Sequence, residues 1–238
     1  MRIFFSVTFA VLVLALALCS IFAYKSKKPI GKAVALVCVC LIPPVIGNLF
    51  LIASPNEALS VTGFYIYFIG MDIVVFSLLR FTFAYCNLKN YRVFRNIIYI
   101  LLIADAIQIF VNIWTGHCFS YELIDAYDGK FYRVIPYLGQ TLHRILDYTI
   151  IGGVIVTFFV KAVTAPKFYS ERYWIFVIVM VLITGWETFY IFSRTPVDRS
   201  MIGFGVFGLL VFFSHSIIDH FDFLIECLAS LHLKCQKL

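Results

Sequence analysis

Apolar residues fill seven long runs along the chain, each close to the ~20 residues a helix needs to cross a bilayer. They lie at about Ile3–Tyr24, Ala33–Ile52, Leu59–Tyr85, Asn96–Trp114, Ile135–Phe159, Tyr173–Phe192 and Met201–Ile218. Pro43 and Pro44 fall near the centre of the second run. The pattern predicts an all-α integral membrane protein, a seven-transmembrane helix bundle over residues 1–218. After Ile218 the chain turns polar, yet Phe221, Leu224, Leu228 and Leu231 recur at steps of three and four. This predicts an amphipathic helix over residues 219–238, either the start of a coiled coil or a helix on the inner leaflet.

The first run could alternatively be a secretion signal. It exceeds the 7–15-residue apolar core of such signals. Lys25, Lys27, Lys28 and Lys32 follow it as a stop sequence, so a retained helix is expected.

Composition agrees with this layout. Only 13% of the 238 residues are charged and 62% are hydrophobic, whereas a soluble domain carries roughly 25% charged residues. So few charges cannot cover a water-facing surface, so lipid is the expected partner of much of it. The net charge of +6 does not point to nucleic acid, because the basic residues sit in short clusters between apolar runs.

Those clusters predict the orientation. Lys25, Lys27, Lys28, Lys32, Lys89, Arg92, Arg95, Lys161, Lys167 and Arg172 fall on one side, and Arg2, Lys130, Arg133, Arg194 and Arg199 on the other. The richer side is expected to be cytoplasmic. The N-terminus is then outside and the C-terminus cytoplasmic. The one long outer loop, about Thr115 to Arg133, is acidic and aromatic, and Asp128-Gly129 marks a turn. A small hairpin lid is expected there.

Seven cysteines, at 19, 38, 40, 86, 118, 227 and 235, leave only Cys118 outside, so no disulfide framework is expected. Cys38 and Cys40 have no nearby His or third Cys and read as buried thiols, not as a metal site.

Ionisable residues within spans are costly and mark cavities or pairs. Asp105, Gln108 and Asn112 share one face of the fourth helix. Gln140, Arg144 and Asp147 share one face of the fifth, with His143 four residues before Asp147. Glu187 lies in the outer half of the sixth. Together these residues form a polar layer in the outer half of the bundle, either a pocket for a small ligand or packing glue. Asp72 and Arg80, two turns apart on the third helix, read as inter-helix pairing residues. His117, alone in the outer loop, reads as solvated. No G-x-S-x-G, H-E-x-x-H or P-loop is present, so no catalytic residue, metal or cofactor is assigned. A retinal Schiff base needs a lysine in the last helix, and no lysine lies between Lys167 and Lys234.

Three stretches carry a resemblance to a known family. Leu79-Arg80-Phe81-Thr82-Phe83-Ala84-Tyr85 is an aromatic helix end before a basic loop. Asn112-Ile113-Trp114-Thr115-Gly116-His117-Cys118-Phe119 is similar to an Asn-x-Trp-His-x-x-Phe element, with two extra residues between Trp114 and His117. Asp198-Arg199-Ser200-Met201-Ile202-Gly203-Phe204-Gly205 is similar to an Asp-x-Thr-Pro-x-x-Phe element, with Ser200-Met201 replacing Thr-Pro. Over residues 1–222 the chain thus resembles the seven-helix N-terminal sensor region of bacterial histidine kinases and diguanylate cyclases. The resemblance implies a multi-pass protein of the cell's inner membrane that senses a cue and relays it to a cytoplasmic kinase or cyclase output domain. The tail helix would begin that missing output region. The tail spacing also suggests a homodimer. Two other readings stay open: a proton-coupled small-solute transporter using Asp72, Asp105 and Glu187, and a structural membrane subunit. The absence of an internal repeat counts against the transporter.

Overall fold

The fold comes from a computed structural model that describes residues 2–28, 30–53, 56–88, 91–126, 129–193 and 198–214. It contains α1 (Arg2–Lys25), α2 (Gly31–Cys40), α3 (Ile42–Ala53), α4 (Glu57–Tyr85) and α5 (Arg92–Thr115). A β-hairpin of β1 (Phe119–Ala126) and β2 (Gly129–Pro136) follows, then α6 (Leu138–Thr164) and α7 (Lys167–Ser193). The last described helix is α8 (Ser200–Ser214). Six helices are long and apolar enough to cross a membrane, with α2 and α3 counted as one span, Gly31–Ala53. Of the predicted seventh run, α8 covers the described part, and residues 215–218 lie outside the described residues. The predicted tail helix at 219–238 lies outside the described residues.

The apolar residues sort into two faces. In α1, Phe5, Phe9, Leu12, Leu16, Cys19 and Ala23 are buried, at steps of three and four, while Ile3, Phe4, Val7, Val11, Leu14 and Leu18 are exposed. A helix apolar on every side, with only one stripe packed, turns its remaining surface to lipid. The first run is therefore an integral part of the bundle, packed against α2 and α3.

The predicted second span is broken. Pro43 and Pro44 lack N–H groups and so free the carbonyls of Val39 and Cys40, and the helix interrupts at Leu41. The two halves pack on α4, the central element, which also touches α5, α6 and β2. The α3–α4 contact is unusually close. A Cβ on Gly47 would stand 2.7 Å from the Gly63 carbonyl oxygen and 2.7 Å from the Tyr67 nitrogen. A Cβ on Gly70 would stand 2.8 Å from Pro44 Cδ. Small residues at such contacts let backbones meet, the main route to tight packing where lipid removes the hydrophobic drive.

At the other end of α4, away from the hairpin, aromatic rings of Phe81, Tyr85, Phe158, Tyr173 and Phe176 interlock, with centroids 5.3 to 6.3 Å apart. Cys86 closes α4 beside them at 3% exposure. Burial pushes its thiol up to about 11, with Lys161 opposing the rise. The thiolate is the reactive form, so a charged maleimide should label Cys86 on the order of a hundredfold more slowly than a free thiol at neutral pH. Peptide mass spectrometry of a labelling time course, before and after denaturation, checks this.

Candidate functional site

The site is built where α6 starts. Gly139 lies in the first turn of α6, and a Cβ there would stand 2.7 Å from Cys118 Sγ and 2.9 Å from Cys118 Cα. Only glycine lets the hairpin root sit this close to the helix. Asn112, on α5, holds that root: its Oδ1 accepts from the Cys118 N–H at 2.6 Å, and its Nδ2 donates to the Phe119 carbonyl at 3.1 Å. Gln108 Nε2 donates to the Gly139 carbonyl at 3.0 Å. The polar face of α5 thus works largely as an anchor for the hairpin.

The hairpin is antiparallel, with Phe119 opposite Pro136 and Ala126 opposite Gly129. The predicted Asp128-Gly129 turn falls at its tip, although residues 127 and 128 lie outside the described residues. Phe119 and Phe131 point inward and are 3% and 2% exposed. Phe119 packs on Tyr65 and Phe68, and Arg2 at the start of α1 stacks over Phe131 with 4.4 Å to its ring centre. Glu122 pairs with Arg133 across the strands. The hairpin is thereby fixed over the end of the bundle formed by the starts of α1, α4 and α6.

Beneath it, a buried ionisable cluster joins three helices. His143 on α6 has Nδ1 2.6 Å from Asp105 Oδ2 on α5. The same nitrogen lies 3.7 Å from Asp72 Oδ1 on α4, and Nε2 lies 3.6 Å from Asp147 Oδ2, one turn along α6. A carboxylate so close to Nδ1 favours a proton on Nδ1. Asp72 is 3% exposed and neither of its oxygens has a hydrogen-bond partner, nor does Asp147 Oδ1. Gln140, one turn before His143, also has both amide atoms buried without a partner.

Next to the cluster lies a cavity of about 500 Å³. His143, Arg144, Asp147 and Tyr148 of α6 form one wall, and Thr184, Glu187 and Tyr190 of α7 another. Asn48, Tyr67 and Asp198 add to the polar lining, and Glu122 of β1 with Tyr132, Arg133, Val134, Ile135 and Pro136 of β2 bound it on the hairpin side. Asn48 Oδ1 and Tyr148 Oη are buried without partners. Among the described residues, Arg144 makes no ion pair. Asp147 approaches His143 and makes no ion pair with Arg144.

Of the eight residues expected in the polar layer, His143, Arg144, Asp147 and Glu187 line the cavity. Asp105 stands behind His143, and Gln108 and Asn112 hold the hairpin root. Gln140 is buried beside the cluster. Sequence reasoning read Asp72 and Arg80 as inter-helix pairing residues; Asp72 does meet another helix, through His143 of α6, whereas Arg80 is exposed. It missed Asn48, Tyr67, Tyr148, Tyr190 and Asp198 as lining residues. For Asn48 a signal existed, a lone amide within an apolar span; the tyrosines look like any interfacial aromatic.

Among the described residues, six helices long and apolar enough to cross a membrane, with a hairpin-capped polar cavity between some of them, define a multi-pass membrane protein. Residues 4–223 match the family described as the N-terminal 7TM region of histidine kinase, and the chain belongs to that family. Membership makes it a membrane sensor module. No curated protein matches the chain.

Proposed function

We propose that the chain crosses the membrane seven times, N-terminus outside, and senses a small polar ligand in the cavity beneath the hairpin. The signal passes through α8 to a cytoplasmic kinase or cyclase output domain. The observation that carries this reading is the 500 Å³ cavity itself, a volume within the range of small-molecule sites. It holds the Arg144 guanidinium, which has no ion pair among the described residues, and buried polar atoms without partners, and such groups are costly in a membrane unless something completes them. The positive-inside bias supports the orientation. The apolar run at 201–218 supports a seventh span, and the leucine spacing beyond it supports a coupled, dimeric tail.

The ligand's anionic or carbonyl group would face Arg144, and Glu187 would accept a donor from the other wall. A charge-assisted hydrogen bond contributes ~1.5–3 kcal/mol. Arg144→Ala is therefore expected to raise the half-maximal cue concentration by roughly 10–100-fold in a reporter assay of the full-length signalling protein. Glu187→Ala should act in the same direction. An unchanged dose response in both variants, at normal membrane levels, would remove the cavity from the sensing step.

A further inference from the structure

The Asp72–Asp105–His143–Asp147 cluster has a chemistry of its own, separate from the cavity's capacity to hold a small molecule. One ligand atom from each of Asp72, His143 and Asp147 lies within 4.8 Å of the other two. These three residues come from α4 and α6, and all are at most 6% exposed. We propose that they form a binding site for a single divalent transition-metal ion of the manganese and zinc class.

Three observations point the same way. First, the spacing is wrong for direct hydrogen bonds and right for an ion between the groups. His143 Nε2 and Asp147 Oδ2 are 3.6 Å apart, beyond a normal hydrogen bond. Two ligand atoms held about 2.1 Å from one ion at a tetrahedral angle stand about 3.4 Å from each other.

Second, the proton on His143 is accounted for. Asp105 accepts it at Nδ1, at 2.6 Å. That leaves the Nε2 lone pair free on the side of Asp147. A carboxylate that orients a histidine from behind, so that its other nitrogen faces the metal, is the usual outer support of such sites. Asp105 is then a positioning residue and not a ligand.

Third, oxygen acceptors here lack donors. Both oxygens of Asp72 and one of Asp147 are buried with no hydrogen-bond partner. Arg144, the nearest cation on the same helix, makes no ion pair with either. A divalent cation held among the three side chains would give these carboxylates a partner. One imidazole and two carboxylates suit borderline ions such as Mn²⁺ and Zn²⁺ more than Cu⁺, which prefers sulfur. Because His143 and Asp147 also line the cavity, the ion would keep an open coordination position facing it.

The proposal does not depend on the sensory reading, since ion binding is read directly and not through signalling. The full chain, purified in nanodiscs and stripped with chelator, is titrated with Mn²⁺ while free Mn²⁺ is followed by electron paramagnetic resonance, and separately with Zn²⁺ by calorimetry. One ion per chain is expected, with a rise in unfolding temperature that chelator reverses. Asp72→Asn and His143→Gln should abolish saturable binding. Asp105→Asn, which keeps every ligand, should weaken it roughly 10–100-fold. His117→Ala, in the exposed loop, should bind like the parent. The proposal is overturned if the parent chain takes up neither ion stoichiometrically. It is equally overturned if Asp72→Asn binds like the parent, or if His117→Ala is the variant that loses the ion. Loss of binding in Asp72→Asn counts in favour only if its apo unfolding temperature matches the parent's, and the Asp105→Asn shift provides the second reading if it does not.

Discussion

Gly47→Val is expected to abolish the folded bundle. In α3 and α4 the backbones touch: any Cβ at position 47 would stand 2.7 Å from the Gly63 carbonyl oxygen and 3.0 Å from Tyr67 Cα. Overpacking a core against side chains costs ~1–3 kcal/mol because rotamers can give way. Here the obstacle is backbone on a neighbouring helix, which has no rotamer. The helices must separate, and that also lifts Pro44 from Gly70, where the fit is equally tight. The expected cost exceeds about 3 kcal/mol, a large part of a stability of ~5–15 kcal/mol. Gly63→Val should behave alike, since its Cβ would stand 2.7 Å from the Gly47 carbonyl oxygen. The contrast lies at Gly152, Gly153 and Gly185, where a Cβ meets nothing within 4 Å. Alanine at these helical positions should be neutral or stabilising by up to ~1 kcal/mol. Unfolding midpoints in detergent separate the two groups. A Gly47→Val protein that unfolds at the parent midpoint would contradict the close α3–α4 approach.

The helices were legible because lipid imposes a length on every apolar run, and α1, α4, α5, α6 and α7 follow those runs to within a few residues. The break at Leu41 was signalled by Pro43 and Pro44, although nothing local says whether two prolines kink a span or split it. The hairpin was legible from its turn residues and aromatic strands. The polar layer was legible one helix at a time. Helical periodicity shows that His143 and Asp147 share a face, and it says nothing of which α4 residue meets them. Asp72 therefore read as an inter-helix pairing residue without a named partner. The same limit explains Gln108 and Asn112. They do share a face with Asp105, but the hairpin root returns beside that face and takes their hydrogen bonds. Long-range pairing decides which of the polar residues on one stripe become lining and which become anchors.

Asp198 shows how one such long-range pairing can tie a cavity to a helix, and its loss is the second large effect expected. The residue opens a motif noted in the sequence without a role. It is 2% exposed and joins three helices. Its Oδ1 accepts from the Ser200 N–H at 2.9 Å and from the Ser200 hydroxyl at 2.5 Å, capping the first turn of α8. Its Oδ2 accepts from the Tyr67 hydroxyl of α4 at 2.6 Å, and its carbonyl accepts from Asn48 Nδ2 of α3 at 2.8 Å. Removing the side chain loses a cap, worth ~0.5–2 kcal/mol. It also leaves the buried Tyr67 hydroxyl without an acceptor, at ~1–3 kcal/mol. Asp198→Ala should therefore destabilise by about 2–4 kcal/mol. Asp198→Asn keeps an acceptor for Ser200 and should cost less. Because Tyr67 suffers only through Asp198, adding Tyr67→Phe to Asp198→Ala should recover part of the loss, and a double-mutant cycle on unfolding midpoints would read that as a coupling energy. Additive effects would mean that the two side chains act separately. Strong coupling would mean that a group lining the cavity also fixes the start of α8. Under the sensory reading, α8 is the element through which the signal must leave the bundle. A ligand that competes for the Tyr67 hydroxyl or the Asp198 carboxylate would then loosen the cap of α8, a local change with the geometry to move one helix relative to the rest.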